Sequence, residues 1–381
     1  MKDRALKLDL RSPWTLVILG LALVGLSLVL TYWIEPSDVA EYARYARAGL
    51  LPPLLTHWPV EYPTLSEAVF LLPRLLPWSY RLAFGLWSGL ALMVMLITVR
   101  EPIQWRMRLI VYVALGGLAL LTGRYDIFAV LAATLGIEAA IRDHFAWAWV
   151  WLAVGFLLKI YPAVFMPVVF LWQYRREGKL PWFSALTALL GIALVLELEY
   201  RWAGPGALSP YKFLDQRPLE IGSFPGAFAA LLAPLKTRLV FAYGAMNIVS
   251  PLSHPVGLVF DGFMMLGLGL GLVLIYLDIL DLRAGCLWVL VVLLLTSKVF
   301  SVQFILWLIP LWSYYPLNRY WLLAAVFSSL GYPVVYLYAV HHPAWWSWVI
   351  VFFGLRSVAI LVGAWTVMRD RLNRRTMRRI G

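Results

Sequence analysis

The chain has 381 residues, 62% of them hydrophobic and 14% charged, which excludes an ordinary soluble protein because soluble domains carry about 25% charged residues. Its formal net charge of +12 comes from basic residues in short loops and at both ends, as the positive-inside rule describes, so we expect a lipid bilayer and no nucleic acid as the partner. The single cysteine, Cys286, excludes an intrachain disulfide and a cysteine-based metal site.

The first predicted element is a membrane helix over about residues 14–33, which follows a basic segment at residues 2–11. Its apolar region is longer than that of a typical signal peptide, and no small-residue cleavage site follows it. Unbroken apolar runs such as residues 16–30 also argue against the alternating strands of a β-barrel. We therefore expect an all-α, polytopic membrane protein whose single transmembrane domain covers residues 1–381 and whose N-terminus is cytoplasmic.

An outer segment is predicted next, at about residues 34–79, and it begins with the acidic stretch Glu35-Pro36-Ser37-Asp38. Carboxylates beside a bilayer are costly unless they are solvated, paired or used. Asp38 fits two interpretations: an N-cap with Glu41 completing a capping box, or a base that accepts a proton. Both interpretations stay open on the local pattern alone.

A second helix is predicted in the same outer segment. The pattern Thr64-Leu65-Ser66-Glu67 is typical of a capping box at a helix start. The stretch from residue 65 to residue 78 is apolar with few charges, which favours a helix that lies at the membrane interface.

Positively charged loops then indicate which turns are cytoplasmic, and the segments between these loops must reach the other side. This alternation predicts about twelve transmembrane helices, with both termini in the cytoplasm. Several middle helices have about 14 residues, fewer than the roughly 20 that span a bilayer, so they must be sheltered by protein or border a wet cavity. The predicted helices lie at about 13–33, 80–99, 108–122, 127–141, 145–158, 161–173, 181–200, 256–277, 285–297, 300–314, 320–340 and 345–368.

Two further segments complete the chain order. A second large outer segment at about residues 201–255 is rich in proline and glycine, and we expect it to be irregular. The end of the chain, about residues 369–381, is predicted to be a basic cytoplasmic tail.

Polar residues gather at the predicted outer ends of the helices. Because lipid-facing positions should be apolar, polar residues there are the best indicators of a functional site. A carboxylate there can accept a proton from a hydroxyl, and Lys or Arg can hold a phosphate and stabilise charge as it leaves. The outer polar set comprises Asp38, Glu41, Arg44, His57, Glu61, Arg124, Asp126, Lys159, Arg217, Glu220, His254, Lys298, Gln303, His341 and His342.

Several of these residues also have simpler interpretations. Arg124 and Asp126 can pair with each other only, and Lys159 can extend from a helix end toward water. His341 and His342 are adjacent and have no carboxylate nearby in the sequence, which makes them weak candidates for a metal site.

The chain resembles glycosyltransferase family 87 of the GT-C superfamily, the polyprenyl-phosphate-mannose-dependent α-mannosyltransferases. The resemblance runs from about residue 35 to residue 310, and its strength lies in the order of several short patches. These patches are Asp38-x-x-x-Tyr42, Glu61-Tyr62-Pro63, Gly123-Arg124-Tyr125-Asp126, Lys159-Ile160-Tyr161-Pro162, Arg217-Pro-Leu-Glu220-Ile-Gly-Ser223 and Ser297-Lys298-Val-Phe-Ser301-Val-Gln303-Phe-Ile-Leu-Trp307.

The resemblance implies a GT-C-like helix bundle and an inverting transfer of a hexose, mannose in this family, from a polyprenyl-phosphate donor to a glycolipid or glycan acceptor on the extracytoplasmic face. By implication Asp38 is the base that deprotonates the acceptor hydroxyl, and polyprenyl phosphate is the leaving group. Lys159, Arg217 and Lys298 are the implied phosphate ligands, and Arg124 and Asp126 would bind the sugar or hold Asp38. Further implied substrate contacts are Glu61, Tyr62, Glu220, Gln303, His254 and His341.

No cofactor is expected, and we predict no required metal, since Glu35-x-x-Asp38 is not the Asp-x-Asp spacing. Two other functions stay open: a transporter or flippase of a lipid-linked sugar, and a polymerase or ligase of lipid-linked glycans. Transporters commonly contain internal repeats, and none is visible in this sequence. The basic tails and the lack of eukaryotic retention signals favour a bacterial inner membrane.

Overall fold

The structure is a computed structural model that describes residues 13–34, 37–51, 61–63 and 65–380. Over these ranges the chain is all-α apart from one small sheet. Its helices are α1 Pro13–Ile34, α2 Ser37–Ala48, α3 Leu65–Leu71, α4 Tyr80–Thr98, α5 Ile103–Tyr112, α6 Asp126–Ile141, α7 Phe145–Leu158, α8 Met166–Glu177, α9 Trp182–Ala203, α10 Ser209–Gln216, α11 Phe224–Leu232, α12 Ser253–Tyr276, α13 Leu282–Thr296, α14 Ile305–Ser313, α15 Arg319–Ser329, α16 Tyr336–His341 and α17 Trp346–Ile380.

Six helical stretches of the described chain are long and apolar enough to cross a membrane, which fits a multi-pass membrane protein. Much of their surface is exposed and apolar: Phe183 is 85% exposed and Leu266 is 72% exposed. Such a surface suits lipid rather than water. The six stretches are Trp14–Ile34, Tyr80–Thr98, Trp182–Phe213, Ser253–Tyr276, Arg319–His341 and Pro343–Asn373.

The remaining membrane segments are short helices, so the count of about twelve stays a prediction. The helix α14 has 9 residues and α6 has 16. Every residue of α14 is buried by protein, and α6 packs on α4, α7 and α14. As expected for helices too short to span a bilayer alone, these two are sheltered inside the bundle.

One end of the bundle joins the loops that the sequence predicts to be cytoplasmic. Ion pairs there link loops and the helix ends beside them, and they join parts of the chain that are far apart in sequence, so these turns meet at a common end of the bundle. The pairs are Glu101–Arg283, Asp143–Arg176, Arg175–Asp278 and Asp281–Arg371.

The start of the first outer segment contradicts one of the two interpretations of Asp38. The helix α2 begins at Ser37, so Asp38 lies within the first turn and not before it, and the N-cap interpretation is wrong. Glu41 pairs with Arg44 on the same helix. The helix predicted from residue 65 is present as α3, followed by a 3₁₀ turn at Leu72–Leu75. The predictions for residues 2–11, Glu35, Pro36, His57 and Thr64 lie outside the described residues.

The second outer segment is ordered, so the expectation of an irregular segment is wrong. It contains α10, α11 and an antiparallel sheet of order β1-β3-β2, with β1 Leu219–Glu220, β2 Arg238–Ala242 and β3 Ala245–Val249. The β2–β3 turn places Tyr243 at φ 55° and Gly244 at φ 68°. A two-residue type I′ hairpin turn requires positive φ at both of these positions. Tyr-Gly is a weaker hairpin signal than Asn-Gly, which explains why the sequence did not reveal the turn.

Candidate functional site

A cavity of about 760 Å³ lies at the end of the bundle opposite the ion pairs just described. Its wall combines the start of α2, the α7–α8 connection, the β2–β3 hairpin and the segment before α14. Eight of the predicted site residues line it: Asp38, Glu61, Tyr62, Arg124, Lys159, Arg217, Glu220 and Gln303. The structure therefore brings most of the predicted set to one space.

Asp38 and Arg124 form an ion pair on the cavity wall. Arg124 precedes α6, and its guanidinium also lies 5.9 Å from the ring centre of Tyr332. Asp38 lies in the first turn of α2, where a carboxylate interacts favourably with the helix dipole. The interpretation in which Arg124 pairs only with Asp126 is wrong, because each of the two has a partner elsewhere.

Asp126 is fully buried at the start of α6 and bonds to Lys159, with 2.7 Å between Lys159 Nζ and Asp126 Oδ1. Trp307 Nε1 donates to the same oxygen at 2.7 Å. Burial lowers the pKa of the Lys159 ammonium, and the Asp126 charge opposes this shift. The interpretation in which Lys159 extends from a helix end toward water is wrong, because its side chain is only 15% exposed and is bonded to Asp126 beside the cavity.

Stacked aromatic rings form one wall beside Lys159. The Trp307 ring lies 3.8 Å from the ring centres of both Tyr161 and Phe304, and both pairs are stacked. Lys159 Nζ lies 5.1 Å from the Phe304 ring centre and 4.8 Å from that of Tyr125. Such cation–π contacts hold the ammonium without neutralising it, so its charge still acts on the cavity.

A second set of charged residues, Arg217 and Glu220, lies on β1 and just before it. Arg217 Nη2 lies 3.9 Å from Glu220 Oε2, and Arg217 Nε has no hydrogen-bond partner in the described part of the chain. Glu220 is buried, and its carboxylate accepts from Ser301 Oγ at 2.8 and 2.9 Å. Arg217 is therefore the cavity cation with the loosest carboxylate contact.

Glu61 lines the cavity beside the hairpin turn. A Cβ atom placed on Gly244 would lie 3.7 Å from Glu61 Oε1. Burial raises the pKa of the Glu61 carboxyl, while the charges of Arg217 and Lys159 oppose the rise. Glu61 is thus a second cavity carboxylate, in a different environment from Asp38.

Four predicted site residues do not line the cavity: Asp126, which is buried and bonded to Lys159, and Lys298, His254 and His341. Lys298 lies just outside the wall, where its backbone oxygen accepts from the Glu220 N–H at 2.9 Å. His254 at the start of α12 and His341 at the end of α16 are exposed. Across the described ranges no group of three or more His, Cys, Asp or Glu residues is arranged to hold a metal ion.

Sequence reasoning missed Arg356, which is fully buried in α17 behind this wall. Its guanidinium bonds to the backbone of Gly222 and Phe300. A signal was present, because a lone arginine within an otherwise apolar membrane span marks a functional or structural contact.

Compared with known proteins, the chain matches no protein-family model and no curated protein sequence. The cavity combines carboxylates that can accept a proton with cations that can bind a phosphate, in a space with apolar and aromatic walls.

Proposed function

We propose that the chain is an inverting glycosyltransferase, which moves a hexose such as mannose from a polyprenyl-phosphate donor to a hydroxyl of a glycolipid or glycan acceptor. The observation that carries this proposal is one cavity that joins Asp38 to the cations Arg124, Lys159 and Arg217. Proton removal from a hydroxyl needs a carboxylate, and departure of a phosphate needs positive charge within the same space.

In this mechanism Asp38 accepts the proton of the acceptor hydroxyl as its oxygen attacks the anomeric carbon. The bond between that carbon and the phosphate oxygen breaks, and its electron pair leaves with the polyprenyl phosphate. A single displacement of this kind inverts the anomeric configuration. Arg124 holds the Asp38 carboxylate in place through their ion pair.

Arg217 and Lys159 are the proposed ligands of the leaving phosphate. Both line the cavity, and an ionised donor bonded to phosphate oxygen is about twice as strong as a neutral one. Because these two side chains supply positive charge, we propose that the reaction needs no metal ion. Lys298 is a weaker candidate than its sequence motif suggests, since it does not line the cavity.

The apolar part of the cavity supports a lipid-linked donor. Leu337, Val340 and Phe241 line the cavity, and they are also exposed on the outer surface of the protein, by 37%, 53% and 67%. Side chains that both line the cavity and reach the outer surface mark a lateral opening toward lipid. A prenyl chain that passes through this opening stays in apolar surroundings. The resemblance to family 87 supports the same donor class.

Further proposals follow from the resemblance and the charge pattern together. The cavity faces the extracytoplasmic side of a bacterial inner membrane, and the fold is of the GT-C kind. The acceptor enters from the aqueous mouth beside Glu61 and Tyr62, where a carboxylate and a phenol can bind sugar hydroxyls.

The proposal is tested with purified protein in lipid vesicles, supplied with radiolabelled polyprenyl-phosphate mannose and a panel of glycolipid and glycan acceptors. We expect a new glycosidic product with inverted anomeric configuration. Movement of the donor between leaflets without product would contradict the proposal and favour a transporter. Elongation of an already lipid-linked glycan by whole repeat units would favour a polymerase or ligase instead.

A further inference from the structure

Arg356 lies within the membrane span Pro343–Asn373, and its side chain is fully buried. A charge at this depth is costly unless it is paired or hydrogen-bonded, which makes its contacts informative. Its guanidinium carbon lies 3.7 Å from the ring centre of Phe300 and 4.7 Å from that of Phe353. The two rings give the planar group a defined orientation.

The guanidinium connects two parts of the chain that contribute to the cavity wall. Arg356 Nη2 donates to the backbone oxygen of Gly222 at 2.6 Å and to that of Phe300 at 3.2 Å. Gly222 follows β1, and Phe300 precedes α14. One side chain from α17 thus holds two segments that are distant from each other in sequence.

These two segments, residues 219–223 and 298–301, are also joined directly, and we call this contact the seam. The Glu220 N–H donates to the Lys298 oxygen at 2.9 Å, and Ser301 Oγ donates to the Glu220 carboxylate at 2.8 Å. The seam is closely packed, because a Cβ atom on Gly222 would lie 2.6 Å from the Phe300 oxygen. Small shifts of either segment therefore move the other.

Arg356 also provides a charge for the seam. Its guanidinium is bonded to the segment that carries the buried Glu220 carboxylate, and the two groups have opposite charges. Glu220 in turn lies 3.9 Å from Arg217, the cavity cation with the loosest carboxylate contact. The charge of Arg356 thus helps to balance that of Glu220, so that Arg217, at 3.9 Å from Glu220, keeps positive charge available for an anion.

We propose that Arg356 is a positioning residue for donor binding. It fixes the seam, so that Glu220 on one segment, Arg217 just before that segment and Gln303 just after the other face the cavity in a single arrangement. The inference rests on the proposed function, in which Arg217 binds the phosphate of the donor. Arg356 does not line the cavity, so it acts on the substrate only through the seam.

The seam itself is tested by hydrogen–deuterium exchange of the full chain in nanodiscs, without substrate. We expect Arg356→Gln to speed amide exchange in residues 219–223 and 298–301 by about tenfold or more, because the exchange reports local opening. Arg356→Lys, which keeps the charge, should cause a smaller change, and it carries the test if Arg356→Gln does not fold. The matched control is Arg283→Gln, which removes a partly buried arginine at the other end of the molecule. Exchange at the seam equal to that of wild type in both Arg356 variants would overturn the inference.

The link to the donor is tested by steady-state kinetics. We expect Arg356→Gln to raise the KM for the donor about tenfold while the acceptor KM stays unchanged, and millimolar guanidinium ion to reverse part of this rise. The donor KM of Arg356→Lys should lie between those of wild type and Arg356→Gln. The donor KM of Arg283→Gln should equal that of wild type. Faster exchange at the seam with an unchanged donor KM would overturn the positioning role. Faster exchange in a protein whose wild type turns over no donor would refute the proposed function and leave the seam established.

Discussion

The three cations on the cavity wall lie at different distances from their carboxylate partners. The distance determines how available each cation is to a substrate phosphate. Arg124 is paired with Asp38, and Lys159 is 2.7 Å from Asp126. Arg217 is 3.9 Å from its carboxylate and has a buried Nε without a partner in the described chain. An arginine with unused donors gains the most from a bound phosphate.

The first prediction compares Arg217→Ala with Lys298→Ala. Loss of Arg217 should raise the donor KM by about 10-fold to 100-fold, since hydrogen bonds to a charged group contribute about 1.5–3 kcal/mol. Lys298→Ala should have a clearly smaller effect, because Lys298 lies outside the cavity wall. Donor titrations at saturating acceptor measure both. A larger effect from Lys298 than from Arg217 would contradict the phosphate assignment.

The second prediction concerns Glu67 in α3, a buried carboxyl whose two oxygens have no hydrogen-bond partner in the described chain. Burial raises its pKa from 4.5 to about 7. The folded protein therefore holds this proton more tightly than the unfolded chain, and stability falls as the pH rises from about 4.5 to about 7. Above that range the folded protein buries a charged carboxylate, which lowers the free energy of unfolding.

Glu67→Gln should therefore raise the thermal unfolding temperature at pH 8 and change it little at pH 5, where Glu67 is already neutral when folded. Unfolding curves of the detergent-solubilised protein at the two pH values measure this. The control is Glu41→Gln, which removes a half-exposed carboxylate paired on its own helix. An equal gain for Glu67→Gln at both pH values would contradict the account.

At the scale of elements, the cavity depends on segments that approach each other very closely. Gly222 is the clearest case, because a methyl group there would press on the backbone of Phe300 and not on a flexible side chain. Gly257 in α12 offers a matched control, since no atom lies within 4 Å of the Cβ position there.

The third prediction is that Gly222→Ala destabilises the protein by about 1–3 kcal/mol, the usual cost of overpacking. Gly257→Ala should leave stability unchanged or raise it slightly, because alanine favours helix more than glycine does. Denaturant titrations followed by tryptophan fluorescence compare the two variants. Equal stability of Gly222→Ala and Gly257→Ala would contradict close packing of Gly222 against Phe300.

The sequence predicted which turns carry polar residues, because charge is rare in this chain and the positive loops indicate the alternation. It did not predict the partners of those residues. The expected pair of Arg124 with Asp126 is local, whereas the observed partners come from α2 and from the α7–α8 connection. Such pairs depend on how helices pack, which apolar periodicity does not specify. The β2–β3 hairpin was missed for a similar reason, since its turn residues are a weak signal.

At the scale of the whole molecule, polar contacts gather at two opposite ends of an apolar bundle. One end holds the ion pairs between loops, such as Glu101–Arg283, and the other holds the cavity. The helix α9 alone separates Lys179, before its start, from the second outer segment after its end. The side of the membrane that each end faces is thus open to a direct test.

The fourth prediction uses Lys179→Cys and Lys236→Cys, two exposed positions, each placed in a Cys286→Ala background. A membrane-impermeant maleimide added to intact cells should label Lys236→Cys, and should label Lys179→Cys only after permeabilisation. This follows because the cavity end is proposed to face outward. Labelling of Lys179→Cys in intact cells would reverse the proposed orientation.

The central claim is that Asp38 is the base of a glycosyl transfer in this cavity. The most direct test measures single-turnover product formation from polyprenyl-phosphate mannose by wild type and by Asp38→Asn. The control is Asp143→Asn, which removes a carboxylate from an ion pair at the other end. We predict that Asp38→Asn stays folded and loses about 10²–10⁴-fold in rate, the usual contribution of a general base, while Asp143→Asn keeps the wild-type rate. A folded Asp38→Asn variant that turns over at the wild-type rate would contradict the claim.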